Sequence, residues 1–289
     1  MHMVPEAKNI KLIECPRDAM QGISAFIPTQ DKIDYLNLLL QAGFDVLDSG
    51  SFVSPKAIPQ MADTREVLAK LELNGNTSLL AIIANFRGAM EASQFDEITY
   101  LGYPFSISET FQRRNTNTSI QSSAHLVSDI LELCDKANKQ AVIYLSMAFG
   151  NPYGDEWGLE IAEHWVNKLI NKGAKIISLS DTTGTANPES ISKLYGGLSA
   201  SHSKVEFGLH LHSTPDTWYE KVDAAYKIGC RRFDSALKGF GGCPMAEDKL
   251  TGNIATENLI SYLHNQGENL RINASSFQKA MEFSSRIFA

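Results

Sequence analysis

The chain has 289 residues, 43% of them hydrophobic and 20% charged, enough to bury one large α/β core or two smaller ones. A formal net charge of -7 and a pI near 5.5 argue against a general nucleic-acid binder, which needs a basic surface. No apolar run approaches membrane-spanning length, and residues 1–9 lack the charged and apolar regions of a signal peptide, so a cytoplasmic protein without a membrane partner is expected.

Short runs rich in Ile, Val, Leu and Phe recur at 10–14, 44–48, 79–84, 97–101, 141–146, 175–180, 206–212 and 232–236. They read as strands covered on both faces. Amphipathic stretches at Thr29–Ala42, 122–138, 157–172 and 216–228 lie between them. Gly43, Gly173 and Gly229 fall where helices need C-terminal caps. Thr29, Asp155 and Asn187-Pro188 mark helix starts. This alternation predicts an α/β fold, a (β/α)8 TIM barrel with additional C-terminal helices at 257–266 and 275–286. A single domain is expected over 1–289, with the barrel at about 10–256 and the helical extension at about 257–289. The competing doubly wound open sheet lacks its glycine fingerprint after the first strand.

Catalytic residues of a TIM barrel lie at the C-terminal ends of its strands. Polar residues crowd there in this sequence, at 14–18, 48–51, 180–184, 210–212 and 239–253. In the run 207–212, His210 and His212 stand two residues apart. On a strand both would face the same side, so their imidazoles converge and form half of a divalent-metal site. Asp18 can add a carboxylate, leaving positions open for substrate and water. Oxygen ligands favour Mg2+ or Mn2+, while the imidazoles also tolerate Zn2+, Co2+ or Fe2+. Asp18 could equally cap a helix or pair with Arg17. Arg17 offers a positive fork for a developing oxyanion, or a structural ion pair.

Of the four cysteines, Cys134 and Cys230 read as inert buried thiols, and no spacing suggests a disulfide framework. Cys243 sits among glycines, where a thiol can exchange a proton or simply pack as a small apolar group. Arg113, Arg114, Asn115 and Asn117 form a basic, polar stretch after the fourth strand, read as a loop that holds phosphates or is merely solvated. His125, His164, His202 and His264 have no partners at metal spacing and are read as surface or helix-packing residues.

The stretches 17–21 (Arg-Asp-Ala-Met-Gln), 51–56 (Ser-Phe-Val-Ser-Pro-Lys), His210-x-His212 and 239–244 (Gly-Phe-Gly-Gly-Cys-Pro) resemble 3-hydroxy-3-methylglutaryl-CoA lyase over about residues 10–263. That resemblance implies carbon–carbon cleavage giving acetyl-CoA and acetoacetate. It implies metal ligation by Asp18, His210, His212 and Asn253. Arg17 would stabilise the enolate, and Cys243 would handle its proton. Glu257 would stand behind the metal ligands, and Asp181 matches an active-site aspartate of the family. The base stays open among Asp18, His210 and a hydroxide at the metal. Asp48 takes a position where the family has Glu, so its carboxylate is one methylene shorter. Gln21, Arg113 and Asn115 are candidate substrate contacts. Cys15 replaces Val-Gly, Ala19-Met20 replace Gly-Leu, Ser213 replaces Asp, and the segment from Cys243 to Asn253 is one residue longer than is usual. A homodimer, an acyl-CoA substrate, and a place in leucine breakdown and ketone-body formation follow from the same resemblance. The alternatives are a related aldolase or Claisen-type enzyme acting on another 3-hydroxyacyl-CoA or 2-oxo acid, and a catalytically silent barrel.

Overall fold

Apolar residues run almost unbroken along the strands because the sheet is covered on both faces. A computed structural model describes residues 9–242 and 251–288. Among them, β1 (Lys11–Glu14), β2 (Val46–Ser51), β3 (Ser78–Ile82), β4 (Ile98–Ser106), β5 (Gln140–Ser146), β6 (Ile176–Ser180), β7 (Glu206–His210) and β9 (Arg232–Ser235) close a barrel in that order. Every pairing around the barrel is parallel, and β1 bonds to both β2 and β9, which excludes an open sheet. Two short strands, β8 (His212–Ser213) and β10 (Gly252–Asn253), pair antiparallel beyond the end of β7.

The helices are α1 (Pro16–Gln21), α2 (Thr29–Ala42), α3 (Thr64–Leu68), α4 (Phe86–Ala92), α5 (Glu109–Thr116), α6 (Ile120–Lys136), α7 (Leu159–Asn171), α8 (Pro188–Ser201), α9 (Trp218–Lys227), α10 (Thr256–Asn265) and α11 (Ala274–Ile287). The two C-terminal helices are present as expected. Ring contacts of Phe283 with Tyr35 and of Phe277 with Phe44 lay α11 beside α2.

Alternate residues of each strand face opposite sides. Ile13, Val46, Leu80, Ile82, Val142, Tyr144 and Ile176 pack together inside the barrel. Their neighbours Leu12, Leu47, Leu79, Ala81, Ile143 and Ile177 join the core between sheet and helices. At the opposite end of the barrel, where the strands begin, the inward positions turn polar and partly exposed. Lys11 Nζ donates to Glu206 at 2.7 Å, and Arg232 Nη1 donates to the other oxygen of Glu206 at 3.0 Å.

Several local expectations change. The seventh strand stops at His210, and Leu211 breaks it, so His212 belongs to β8 rather than to the barrel strand. β4 runs on to Ser106, past a Gly102 and a Pro104 that hide the strand pattern. A Cβ on Gly102 would come within 2.6 Å of Ile82 Cδ1, so a side chain there would have to displace that methyl. The basic stretch at 113–115 is helical in α5, with Asn117 as its left-handed cap at φ 54°. Asp155 starts no helix. It accepts from the Ser108 hydroxyl and from the Thr110 amide and hydroxyl, which pins the start of α5. Thr29 does start α2, as its first helical residue after Pro28. Asn187 does cap α8, reciprocally with Ser190.

Glu14, at the end of β1, is fully buried and accepts from the Leu237 amide at 2.8 Å. Its other oxygen lies 2.5 Å from the Thr256 hydroxyl, which in turn lies 2.9 Å from the Ser235 hydroxyl. Burial pushes the Glu14 pKa up to about 8, against the pull of its hydrogen bonds to Thr256 and Leu237. As a neutral acid, Glu14 donates to Thr256 and frees that hydroxyl to donate to Ser235. The folded state then holds a proton that the unfolded chain releases near 4.5, so stability falls as pH rises from about 4.5 through about 8. Glu14→Gln keeps the hydrogen-bonding pattern of the neutral acid and is expected to flatten that decline. Denaturant midpoints across this range check it; an unchanged slope contradicts the protonated state.

Candidate active site

Pro16 opens α1 immediately after β1, and this sharp turn puts Arg17 and Asp18 in the helix's first turn at the barrel mouth. Both side chains are buried against neighbouring strand ends. Arg17 Nε and Nη2 both donate to Asp48 on β2, the shortest contact being 2.5 Å. Arg17 Nη1 donates to Asp18 at 3.2 Å and to Gln21 at 2.8 Å. One N–H on Nη2 remains for a ligand once these bonds are made. Burial opposes the Arg17 charge, but Asp48 and Asp18 overcome that and hold its pKa above the ordinary value. Burial pushes the Asp48 carboxyl up to about 6, with Arg17 pulling it back.

Asp18, His210 and His212 each present a ligand atom, and these atoms lie within 4.8 Å of one another. The two imidazole Nε2 atoms face each other at 3.3 Å. Burial works against the Asp18 charge, yet Arg17, His210 and His212 hold its pKa below the ordinary carboxylate value. Burial, followed by the nearby His210, brings His212 down to about 4, so its imidazole is neutral and available as a ligand. Pairing of β8 with β10 sets Asn253 opposite His212. Asn253 Nδ2 donates to Asp18 and to the Phe240 carbonyl, both at 2.8 Å. Its Oδ1 is buried with no hydrogen-bond partner. Two facing imidazole nitrogens, a low-pKa carboxylate and an orphaned amide oxygen are the donor set a divalent cation takes. These residues therefore fit a metal.

The close approach of the glycine segment belongs to this cluster. A Cβ on Gly241 would come within 2.5 Å of Asn253 Nδ2 and 3.0 Å of Asp18 Oδ2, and its φ is 99°. Cys243 lies outside the described residues. A cavity of about 250 Å3 opens beside the cluster, lined by Arg17, Asp18, Gln21, Asp48, His210 and His212 and by apolar Val53, Ile58, Ile82 and Phe111.

The remaining predicted residues divide. Gln21 bridges Arg17 and Asp18, and Asn115 lines the cavity. Arg113 instead pairs with Glu109 along α5 at 2.7 Å, on the exposed side, and is not among the cavity's lining residues. Asp181 is buried in an ion pair with Lys221 at 2.9 Å rather than at the cavity wall. Lys221 also donates to the His212 carbonyl at 2.7 Å, and the Asp181 backbone amide donates to the His210 carbonyl at 2.9 Å, so Asp181 holds the backbone of both histidines without its carboxylate lining the cavity. Glu257 accepts from the backbone amide of Lys238, whose φ is 60°, and so holds the turn that leads into the glycine segment. Sequence reasoning missed Asp234, which lies 3.2 Å from His210 Nδ1. An acidic residue at an inward position of an apolar strand was the available signal. Cys15 also lines the cavity and is buried.

A closed parallel barrel with two imidazoles and a carboxylate converging at its C-terminal mouth has the form of a metal-ligating barrel enzyme. The chain belongs to the HMGL-like family, whose profile matches residues 9–284. It is 32% identical over 264 residues to the hydroxymethylglutaryl-CoA lyase YngG of Bacillus subtilis, covering 90% of this chain and 87% of that protein. It is 31% identical over 277 residues to the human cytoplasmic 3-hydroxy-3-methylglutaryl-CoA lyase, covering 95% and 74%. Among solved structures, the Acinetobacter baumannii HMG-CoA lyase, in complex with coenzyme A and 3-methylmalate, matches with a TM-score of 0.90 at 30% identity, covering 99% of this chain and 93% of that one.

Asp48→Asn removes the main counter-charge from a buried guanidinium. It is expected to cost about 3 kcal/mol of stability. Chemical denaturation checks this; a variant as stable as the parent contradicts a buried, charged pair.

Proposed function

We propose that the protein cleaves 3-hydroxy-3-methylglutaryl-CoA to acetyl-CoA and acetoacetate, with Mg2+ or Mn2+ held by Asp18, His210, His212 and Asn253. The observation that carries this reading is the convergence of Asp18, His210 and His212 beside the anchored Arg17. Membership of the HMGL-like family and the lyase names of the relatives support the reaction.

When bound, the divalent cation supplies a Lewis acid that makes the substrate's 3-hydroxyl more acidic. Asp18 is the side chain that takes that proton; His210, whose Nε2 would hold the cation and whose Nδ1 faces Asp234, has no lone pair left for it. The oxygen lone pair then closes a carbonyl, the C2–C3 bond breaks, and its electrons pass to the thioester as an enolate. Arg17 faces that negative charge with a guanidinium already fixed by Asp48, so little reorganisation is needed. Apolar Val53, Ile58, Ile82 and Phe111 line the cavity beside these charges, which lowers the local polarity around them. Cys243 returns a proton to the enolate carbon. Asp181, through Lys221, and Glu257, through Lys238, brace the segments that carry His212 and the glycines.

The same reading makes the chain a single-domain cytoplasmic homodimer acting in leucine breakdown and ketone-body formation. Among the described residues no helix is long and apolar enough to cross a membrane. An aldolase or Claisen-type activity on another substrate is less supported, because the relatives matched along most of the chain carry the lyase name.

Purified protein supplied with Mg2+ or Mn2+ and 3-hydroxy-3-methylglutaryl-CoA is expected to release acetoacetate. No product with either metal contradicts the proposal. Cys243→Ser is expected to lose most turnover while titrating Mn2+ as the parent does; parental activity in this variant contradicts the role of the thiol.

A further inference from the structure

His210 is held from behind as well as from in front. Parallel pairing of β7 with β9 sets His210 directly beside Asp234. Asp234 Oδ2 lies 3.2 Å from His210 Nδ1, and the Asp234 side chain has no exposure to solvent. The opposite ring nitrogen of His210, Nε2, faces His212 Nε2 and groups with Asp18. Only one of two facing Nε2 atoms can carry a hydrogen towards the other. The carboxylate behind His210 decides which, because it rewards a hydrogen on Nδ1 and leaves Nε2 with a free lone pair.

Asp234 is itself supported. Arg232 stands two residues earlier on β9, on the same inward face, and is buried. Its Nη1 is spent on Glu206, while its Nε and Nη2 have no hydrogen-bond partner among the described residues. Asp234 Oδ1 is likewise buried without a hydrogen-bond partner, and the two opposite charges act on each other across the barrel interior, where screening by water is weak. Gly208 makes room for it, since a Cβ there would come within 2.8 Å of Arg232 Cδ. Asp234 and Arg232 lie outside the residues that the cleavage scheme employs.

We propose that Asp234, backed by Arg232, is a positioning residue that fixes the proton of His210 on Nδ1 and turns Nε2 towards the metal. The proposal rests on the reading of His210 as a ligand, but its central statement concerns a tautomer that exists without metal. Histidine-labelled, metal-free protein at alkaline pH gives the direct test by long-range 1H–15N correlation, with His210 assigned through a His210→Asn variant. The expected pattern is a protonated Nδ1 and a bare Nε2. The Nε2–H tautomer overturns the proposal.

The second measurement is Mn2+ titration calorimetry on Asp234→Asn. Its Kd is expected to rise about tenfold, the lower end for loss of a partner behind a metal-bound histidine. A Kd within about twofold of the parent's overturns the proposal. If Asp234→Asn does not fold, the parent's tautomer decides alone. If the parent binds no Mn2+, the ligand reading fails, and the tautomer still decides the role of Asp234.

Discussion

Arg17 ties the site together. Its guanidinium spans the ends of β1 and β2 by gripping Asp48, and it reaches Asp18 and Gln21 with the remaining nitrogen. A planar fork with fixed donor directions can do this; a lysine cannot. The bonds to Asp48 are what make burial of the positive charge tolerable. They also decide where Asp18 points, because Asp18 accepts from Arg17 on one oxygen and from Asn253 on the other. The orientation of the carboxylate ligand follows from these contacts.

The barrel supplies the rest through register. Parallel pairing brings His210 level with Ser180 on one side and Asp234 on the other. The antiparallel clip of β8 on β10 brings His212 and Asn253 together from segments far apart in the chain. Glycines at 208 and 241 are the spaces this arrangement needs, one for the Arg232 side chain and one for Asp18 and Asn253. Charge is thus assembled in a low-dielectric interior, with Arg17 paired to Asp48 and Asp18, and Lys221 to Asp181.

Much of this was legible in the sequence, because strand period, helix caps and the position of polar residues at strand ends are local signals. His210, His212, Asp18 and Arg17 could be named from such signals. What escaped depends on contacts between distant segments. The break at Leu211 follows from β8 choosing β10 as its partner, which no local pattern records. Asp155 looked like a helix start and instead caps a different helix, 45 residues away at Thr110. Asp234 looked like a stray charge within a strand and proved to stand behind His210. Arg113 looked available for phosphate and is engaged along its own helix by Glu109.

Asp18, His210, His212 and Asn253 are proposed to hold a divalent cation at the barrel mouth. Anomalous diffraction from crystals grown with Mn2+ tests it most directly. The expected result is one strong peak within coordinating distance of Asp18, His210, His212 and Asn253. A peak bound elsewhere, or none at this cluster, would contradict it.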